Sequence, residues 1–267
     1  MKVKFIFLFL GLLTCLLMSF DKDKPRKVIL VIFAHPDDET SIGAMMARYA
    51  RTHEIVYIVA TDGRNGKKLL RTLPEDSIAK IRKRECECSC EKLGIKPAVQ
   101  LGFPDGLGMR TNIMEFFKIT KSIKEILKTK IAEVNPDLII TFGPEGDSGH
   151  GDHRIIGDIT TEIILREGWA ERYPLYYYGW TKKQAAKFGV EELNYIDEKY
   201  FNVSVSFDQE DENKYFESIR CYKSQYTHEE LEDWIKTDQV DVSNILYFRK
   251  FSIAKGSSSE FTFSRDY

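Results

Sequence analysis

The sequence has almost no net charge, few histidines and cysteines, and no hydrophobic run of the length typical of a membrane span. Its 39 lysine and arginine residues nearly balance 41 aspartate and glutamate residues, which gives a formal net charge of −2. This balance offers no electrostatic basis for binding nucleic acid or an anionic membrane surface. No internal repeat and no long low-complexity tract is present. The remaining composition, 267 residues that are 43% hydrophobic, is sufficient for the core of a globular protein.

The first twenty residues differ from the rest of the chain. Lys2 and Lys4 precede an uncharged apolar stretch from Phe5 to Phe20, and a charged segment follows at once. The stretch is short for a membrane span and has the order of an export signal. We therefore predict a signal peptide over residues 1–20 and an exported protein: periplasmic, secreted or on the cell surface. Contact with a membrane is expected only through this segment, if it is not cleaved.

Cysteine is scarce, and one of the five cysteines, Cys15, lies in the predicted signal. Cys86, Cys88 and Cys90 lie within a helical pattern, where the middle side chain points away from the other two. These three thiols therefore cannot converge on one metal ion. In an oxidising compartment Cys221 could pair with one of them, and the sequence leaves that pairing open.

Strand and helix patterns alternate from Val28 onward. The predicted strands are 28–33, 54–60, 98–101 and 137–142, and the helices that follow them are 40–50, 76–93, 112–134 and 151–167. The first strand lacks polar alternation, which is typical of a strand covered on both faces. This order predicts an α/β, Rossmann-like fold with a doubly wound, mostly parallel sheet and helices on both faces.

The later part of the chain is less regular and contains no segment that resembles a linker. Its predicted elements are strands at 175–180 and 200–207, a helix at 208–226 and an edge strand at 245–253. We therefore predict one domain from residue 27 to residue 253. Its later half is expected to add walls to the binding pocket.

The first predicted strand ends in Ala34-His-Pro-Asp-Asp-Glu39, which places an imidazole and three carboxylates at its carboxyl end. In parallel sheets the ligand crevice lies outside the carboxyl ends of the strands. The alternative is a strand-to-helix turn in which one aspartate caps the helix, but four functional side chains exceed what capping requires. Adjacent aspartates point in different directions. We therefore predict that Asp38 binds a metal ion and that Asp37 is a general base.

The strand at 137–142 opens into a glycine-rich loop that ends in His150-Gly-Asp-His153. His35, Asp38 and His153 together would form an open three-ligand set that leaves a position for water on Zn²⁺, and Fe²⁺ suits the same set. His150 is predicted to face a developing oxyanion, with Asp152 as its orienting carboxylate. The alternative is a polar loop whose imidazoles face solvent.

The paired motifs resemble those of the PIG-L/LmbE-like family of zinc-dependent de-N-acetylases, which remove acetyl groups from N-acetylglucosamine-type sugars. The resemblance covers about residues 27–165, and its motifs occur in a consistent order: residues 34–39, Thr61-Asp-Gly63, Arg82-x-x-Glu85, Leu101-Gly with Asp105, and Pro144 to His153. It implies that zinc is bound by His35, Asp38 and His153. It also implies that Asp37 is the catalytic base.

The resemblance implies roles for other polar residues as well. His150, helped by Asp152, would stabilise the tetrahedral oxyanion or protonate the leaving amine. Arg82 and Asp105 would contact substrate hydroxyl groups. Independently of the resemblance, Arg64 is predicted to contact the substrate because it lies in the polar loop after the second strand.

Two positions depart from the family pattern. Ser148 stands where some members have a mobile tyrosine, and Tyr222 stands where members often have a histidine. Substrate choice is therefore expected to depend on the later half of the chain.

The leading hypothesis is an exported zinc hydrolase that removes an N-acetyl group from a glucosamine-containing glycan or glycoconjugate. The alternatives are a non-catalytic carbohydrate-binding protein with the same fold, and a hydrolase of a different linear amide or ester.

Overall fold

The computed structural model describes residues 25–109, 112–188, 194–240 and 243–253. Within them a seven-stranded sheet has the order β3-β2-β1-β4-β5-β7-β6. Its strands are β1 (Val28–Phe33), β2 (Glu54–Thr61), β3 (Val99–Phe103), β4 (Leu138–Phe142), β5 (Leu175–Tyr178), β6 (Val203–Ser206) and β7 (Ile245–Lys250). The strands β1 to β5 pair in parallel, whereas β7 runs antiparallel to both β5 and β6. The predicted α/β fold with a mostly parallel sheet is confirmed.

Helices follow most of the strands in the described chain. They are α1 (Gly43–Ala50), α2 (Glu75–Leu93), α3 (Ile113–Val134), α4 (Gly151–Arg166), α5 (Lys182–Lys187), α6 (Gln209–Ile219) and α7 (His228–Gln239). Short 3₁₀ helices span Asp38–Ile42, Leu107–Met109 and Glu198–Tyr200. None of the helices in the described ranges is long and apolar enough to cross a membrane. The predicted signal peptide lies outside the described residues, and the domain limits 27–253 stay a prediction.

The central strand β1 is buried on both faces, as its unbroken apolar sequence predicts. Leu30 and Ile32 pack into a core that α3 and α4 cover, whereas Val31 and Phe33 pack into a core that α1 and α2 cover. All four side chains have no exposed surface. Two apolar cores, one on each face of the sheet, therefore hold β1 in place and fix the position of the residues that follow Phe33.

The structure differs from the sequence predictions in the later chain. The predicted helix 208–226 ends at Ile219, and α7 begins at His228 after Thr227 and Glu230 form a capping box. Such a Thr-x-x-Glu pattern before an apolar residue is a sequence signal for a helix start, and it was the signal available for α7. The prediction of an edge strand at 245–253 is wrong, because β7 lies between β5 and β6 and is hydrogen-bonded on both sides. The edge position belongs to β6.

A disulfide bond joins Cys88 of α2 to Cys221, which lies just after α6, with 5.9 Å between the two Cα atoms. Cys86 and Cys90 are buried free thiols in the core beneath α2. This arrangement follows from the helix period, which turns Cys88 away from its two neighbours. The disulfide connects the early part of the chain to the later part.

Candidate active site

A cavity of about 560 Å³ lies at the carboxyl ends of the parallel strands. Residues that follow β1, β2 and β4 line one side of it, including His35, Asn65 and His153. Residues from the later half of the chain line the other side, including Trp180 and Tyr226. The two predicted motifs therefore meet in one cavity, at the edge of the sheet where α/β proteins bind ligands.

The three predicted metal ligands have their donor atoms close together. His35 Nδ1 lies 3.6 Å from Asp38 Oδ1, His153 Nε2 lies 3.0 Å from the same oxygen, and the two ring nitrogens are 3.1 Å apart. A tetrahedral zinc site with bonds of about 2.0–2.2 Å separates neighbouring ligand atoms by roughly 3.4 Å. Two imidazole nitrogens and one carboxylate oxygen at these separations fit a divalent cation.

The outer ring nitrogens of both histidines have fixed partners. His153 Nδ1 lies 3.1 Å from the carbonyl oxygen of Gly146, and its ring stacks on Phe142 with 4.2 Å between centroids. His35 Nε2 lies 3.1 Å from an Asp105 oxygen and 3.4 Å from an Asp152 oxygen. Such partners select the tautomer of a metal-binding histidine and orient its ring. His153 Nε2 and His35 Nδ1 thereby remain available as donor atoms for the predicted metal ion.

Asp38 is held in its ionised form. One of its oxygens accepts the backbone N–H groups of Ala34 and His35, at 2.9 and 2.7 Å, while the other faces the two imidazoles. Burial alone would raise the pKa of Asp38, but the imidazoles of His153 and His35 hold it well below its usual range. The carboxylate is therefore charged at neutral pH, as a metal ligand must be.

Asp37 occupies an unusual backbone position beside this cluster. Its φ angle is 112°, and its carboxylate lies 2.7 Å from the guanidinium of Arg82, which also donates to the carbonyl of Pro36. Burial raises the pKa of Asp37, and the charge of Arg82 opposes this rise. Gly63 permits the arrangement: a Cβ there would lie 3.0 Å from Pro36 and 3.2 Å from Arg82, and the residue has a positive φ of 65°.

The predicted substrate contacts are engaged with protein groups. Arg82 is 2% exposed and pairs with Asp37, and Asp105 contacts His35 and accepts the backbone N–H of Asn65. Both border the cavity, but their charged atoms contact the predicted base and a predicted metal ligand. Arg64 turns to Asp62 and Asp76 and does not line the cavity, although its neighbours on both sides do. Arg64 instead forms a local ion pair with Asp62, which is only two residues away, and its contact with the substrate stays a prediction.

The structure revises the predicted relation between His150 and Asp152. His150 caps α4, and its Nδ1 accepts the backbone N–H of Asp152 at 3.2 Å, so the proton of the neutral ring is on Nε2. Burial and the neighbouring imidazoles lower the pKa of His150, which makes it a neutral donor instead of an imidazolium. The Asp152 carboxylate instead faces His35 and accepts the N–H groups of residues 106–108, at 2.8 to 3.0 Å.

The buried carboxylate of Glu39 is hydrogen-bonded to the backbone of the first motif, residues 34–39. Glu39 has no exposed surface, and it accepts hydrogen bonds from the backbone N–H of Asp37 and from the hydroxyl groups of Tyr57, Ser89 and Tyr222. Tyr222 belongs to the later half of the chain, so this network connects that half to the backbone of the predicted base. Four donors satisfy the charge that burial would otherwise make costly.

Sequence reasoning missed most of the cavity's later wall. The aromatic residues in and just before the predicted strand 175–180 are largely core: Tyr173, Tyr177 and Tyr178 are at most 5% exposed, whereas Trp180 lines the cavity. Asp147 also lines it, in a left-handed conformation with φ 55°, and accepts the indole N–H of Trp180. Burial raises the pKa of Asp147 to about 6. The sequence offered one indication that Asp147 lines the cavity, namely its position in the glycine-rich loop after β4.

The segment 221–226 is fixed to α2 by more than the disulfide. The Glu85 carboxylate accepts the backbone N–H and the hydroxyl of Ser224, both at 2.6 Å. The Gln225 amide donates to the carbonyl of Gly66 at 2.7 Å, and both residues line the cavity. This wall of the cavity is therefore attached to the helix that carries Arg82.

Residues 30–164, half of the chain, match the model of the PIG-L family, which is described as GlcNAc-PI de-N-acetylase. The chain belongs to the PIG-L family. The resemblance stated from the motifs is thereby confirmed, and the site residues within residues 30–164 can be compared with those of other PIG-L members. The metal, base and substrate roles of the individual residues stay predictions.

Two curated PIG-L relatives illustrate the similarity. A 1D-myo-inositol 2-acetamido-2-deoxy-alpha-D-glucopyranoside deacetylase of Kineococcus radiotolerans is 32% identical over 54% of this chain, which spans 46% of that relative. A probable N-acetyl-alpha-D-glucosaminyl L-malate deacetylase 2 of Bacillus cereus is 31% identical, over 60% of this chain and 71% of its own length. The chain thus spans about half the length of the first relative and more of the second.

Solved structures extend the similarity of fold to most of the chain. The N,N'-diacetylchitobiose deacetylase of Pyrococcus horikoshii has a TM-score of 0.59, with 22% identity and 88% of both chains covered. A deacetylase of teicoplanin biosynthesis has a TM-score of 0.65, with 15% identity, and covers 85% of this chain and 100% of its own. At these identities the comparison establishes the shared α/β fold alone.

Proposed function

We propose that this PIG-L protein is an exported, metal-dependent de-N-acetylase. It hydrolyses the N-acetyl group of a glucosamine-containing glycan or glycoconjugate and releases acetate and a free amine. The observation that carries the proposal is the cluster of His35, Asp38 and His153 donor atoms beside an arginine-paired Asp37. Both curated relatives are named as deacetylases of acetylated glucosaminides, which supports the same acyl group here. The order of charged and apolar residues in 1–20 supports export.

His35, Asp38 and His153 would hold Zn²⁺, and Fe²⁺ suits the same ligands. When bound, such a cation supplies a water molecule of lowered pKa and polarises the amide carbonyl. Family membership supports this cofactor, and the negative charge of the site does too. Burial would lower the pKa of His35, yet Asp38, Asp105 and Asp152 together raise it well above its usual value. A metal cation would neutralise the negative charge of these three carboxylates.

The protein groups then divide the proton transfers between them. Asp37 accepts a proton from the attacking water, while the charge of Arg82 opposes the rise that burial causes in the pKa of Asp37 and fixes the direction of its carboxylate. His150 donates its Nε2–H to the carbonyl oxygen as negative charge develops there, a contribution worth about 3 kcal/mol for one well-placed donor. Asp37 finally delivers its proton to the nitrogen of the leaving amine. One water and one amide thus give one acetate and one amine.

The test is acetate and amine release by purified, zinc-loaded protein, free of chelator, from a panel of N-acetylated sugars. The variant Asp37→Asn should keep its metal content but lose about 10²- to 10⁴-fold in kcat, because the amide cannot accept the proton. The proposal is abandoned if no sugar of the panel releases acetate, or if Asp37→Asn turns over like the parent protein. Export is tested separately by cell fractionation with and without residues 1–20.

The alternative of a non-catalytic carbohydrate-binding protein is not favoured. It requires a lost ligand or a lost base, whereas His35, Asp37, Asp38 and His153 are all present and adjacent. Hydrolysis of another linear amide or ester is distinguished in the same assay by replacing the acetyl group with longer acyl groups.

A further inference from the structure

We propose that the substrate is a neutral glycoside in which N-acetylglucosamine is joined to a second pyranose ring, and that an aromatic wall binds this second ring. The aromatic wall consists of Trp180, Phe188, Tyr226 and Trp234. The inference rests on the proposed function, since it names the substrate class of the same site.

All four rings of the aromatic wall line the cavity that contains His35 and Asp37. Each is half-buried, so part of its surface faces the cavity. They come from the later half of the chain, outside residues 30–164 that match the family. The wall therefore lies outside the segment that the family model matches, whereas the predicted catalytic groups lie within it.

The rings of the aromatic wall form two edge-to-face pairs. Trp180 and Phe188 have centroids 5.4 Å apart at 71°, and Tyr226 and Trp234 have centroids 5.6 Å apart at 73°. Trp180 is fixed further by its hydrogen bond to Asp147. Paired rings of this kind hold one another in place and present a rigid apolar surface at low entropic cost.

The cavity offers both kinds of contact that a sugar ring needs. The C–H faces of a pyranose pack on aromatic rings, and its hydroxyl groups require polar partners. Asn65, Asp147, Ser148 and Gln225 line the same cavity and supply such partners. Its volume of about 560 Å³ lies within the ~300–1,000 Å³ typical of small-ligand sites. A second ring can therefore bind beside the one that is deacetylated.

The charges of the cavity favour a neutral second ring. Among the described residues that line it, Arg82 is the one lysine or arginine, and its guanidinium is buried and paired with Asp37. Asp105 and Asp147 add further negative charge. Apart from the proposed metal ion, a phosphate or carboxylate on the second ring would find no free lysine or arginine among the lining residues to offset its desolvation. An uncharged pyranose carries no such cost.

Binding can be measured by tryptophan fluorescence, which does not depend on product release. The chain has three tryptophans, and two of them belong to the aromatic wall. The third, Trp169, packs against Tyr173 in the core beneath α3 and α4. In a Trp169→Phe variant the tryptophan fluorescence therefore reports on the wall alone. We expect a saturable change in fluorescence with N,N'-diacetylchitobiose, at a Kd at least about tenfold below that for N-acetylglucosamine.

N-acetylglucosamine 1-phosphate should bind no better than N-acetylglucosamine. Equal Kd values for the two uncharged sugars, or tightest binding of the phosphate, would overturn the proposal.

Turnover supplies the second measurement. Trp234→Ala should lower kcat/KM for the disaccharide about tenfold, which corresponds to about 1.4 kcal/mol, and should change kcat/KM for N-acetylglucosamine less than about twofold. Trp169→Phe is the matched control and should change neither. An equal loss on both sugars contradicts the wall's role. If the disaccharide binds in the fluorescence experiment but no sugar releases acetate, the proposed hydrolase function fails while the sugar-binding wall is supported.

Discussion

The two sides of the catalytic cavity are built by different kinds of contact. On the side that matches the PIG-L family, charged groups are held by charged or polar partners: Asp37 by Arg82, and Asp38 by two backbone N–H groups. On the later side, rings such as Trp180 and Trp234 are held by edge-to-face packing. Ionic and hydrogen-bonded groups tolerate little displacement, whereas an apolar wall can change its rings and keep its shape. We therefore expect the reaction to depend on the first side and substrate choice on the second.

Several contacts join the two sides, and three of them link the segment 221–224 to the first side. Tyr222 donates to Glu39, Ser224 donates to Glu85, and Cys221 is bonded to Cys88. If the two sides have separate roles, damage to the first should abolish metal binding or turnover, and damage to the junction should affect mainly stability.

The largest effect is expected for His153→Ala. Removing one of three ligands should lower bound zinc far below one ion per chain and reduce kcat by about 10³-fold or more, because the chemistry depends on the cation. Metal analysis and acetate release measure the two effects, and circular dichroism checks that the fold is kept. His228→Ala, on the exposed start of α7, is the matched control. Full activity with a normal metal content in His153→Ala would contradict the proposal that the first side of the cavity binds the metal ion on which turnover depends.

The next effect is expected for the double variant Cys88→Ser with Cys221→Ser. The disulfide closes a loop across a sequence separation of 133 residues, and its loss should lower the free energy of unfolding by about 2–4 kcal/mol. Urea unfolding measures the change, and reductant should destabilise the parent protein but not the variant. We expect unchanged metal content, because His35, Asp38 and His153 do not touch the bond. Loss of zinc from the variant would show that the two sides are not independent.

A smaller effect is expected for Arg82→Met. Burial raises the pKa of Asp37 and the guanidinium opposes the rise, so removing the guanidinium should raise this pKa further. Since the base acts when ionised, activity should begin to fall at a higher pH as the solution is acidified, and kcat near neutral pH should drop about tenfold. A pH series of kcat and KM measures this, with Arg84→Met, an exposed residue on the same helix, as the control. A rise in KM with kcat unchanged would instead restore the substrate contact that the family resemblance implied for Arg82.

Local sequence was sufficient for the first side of the cavity. The strand β1 has the predicted limits, because an unbroken apolar run bounded by a proline-containing turn has few other structures available. Helix α3 follows Asn112, whose side chain accepts two backbone N–H groups, and α2 ends at Gly94 with a positive φ of 74°. Sequence alone also predicted that the motifs at 35–38 and 150–153 would meet, since both follow strands of a parallel sheet.

The sequence by itself thus determined the α/β fold and the meeting of the two motifs that carry the predicted metal ligands and the predicted base, because strand ends and local motifs fix these groups within a few residues. Only the tertiary structure decided which partners they have. It paired Arg82 with Asp37, placed the Asp152 carboxylate against His35, joined Cys88 to Cys221 and brought Trp180 beside Phe188 in the cavity wall. Each of these contacts except the local Trp180 pair joins residues far apart in the chain, and their side-chain directions follow from packing that no local pattern encodes.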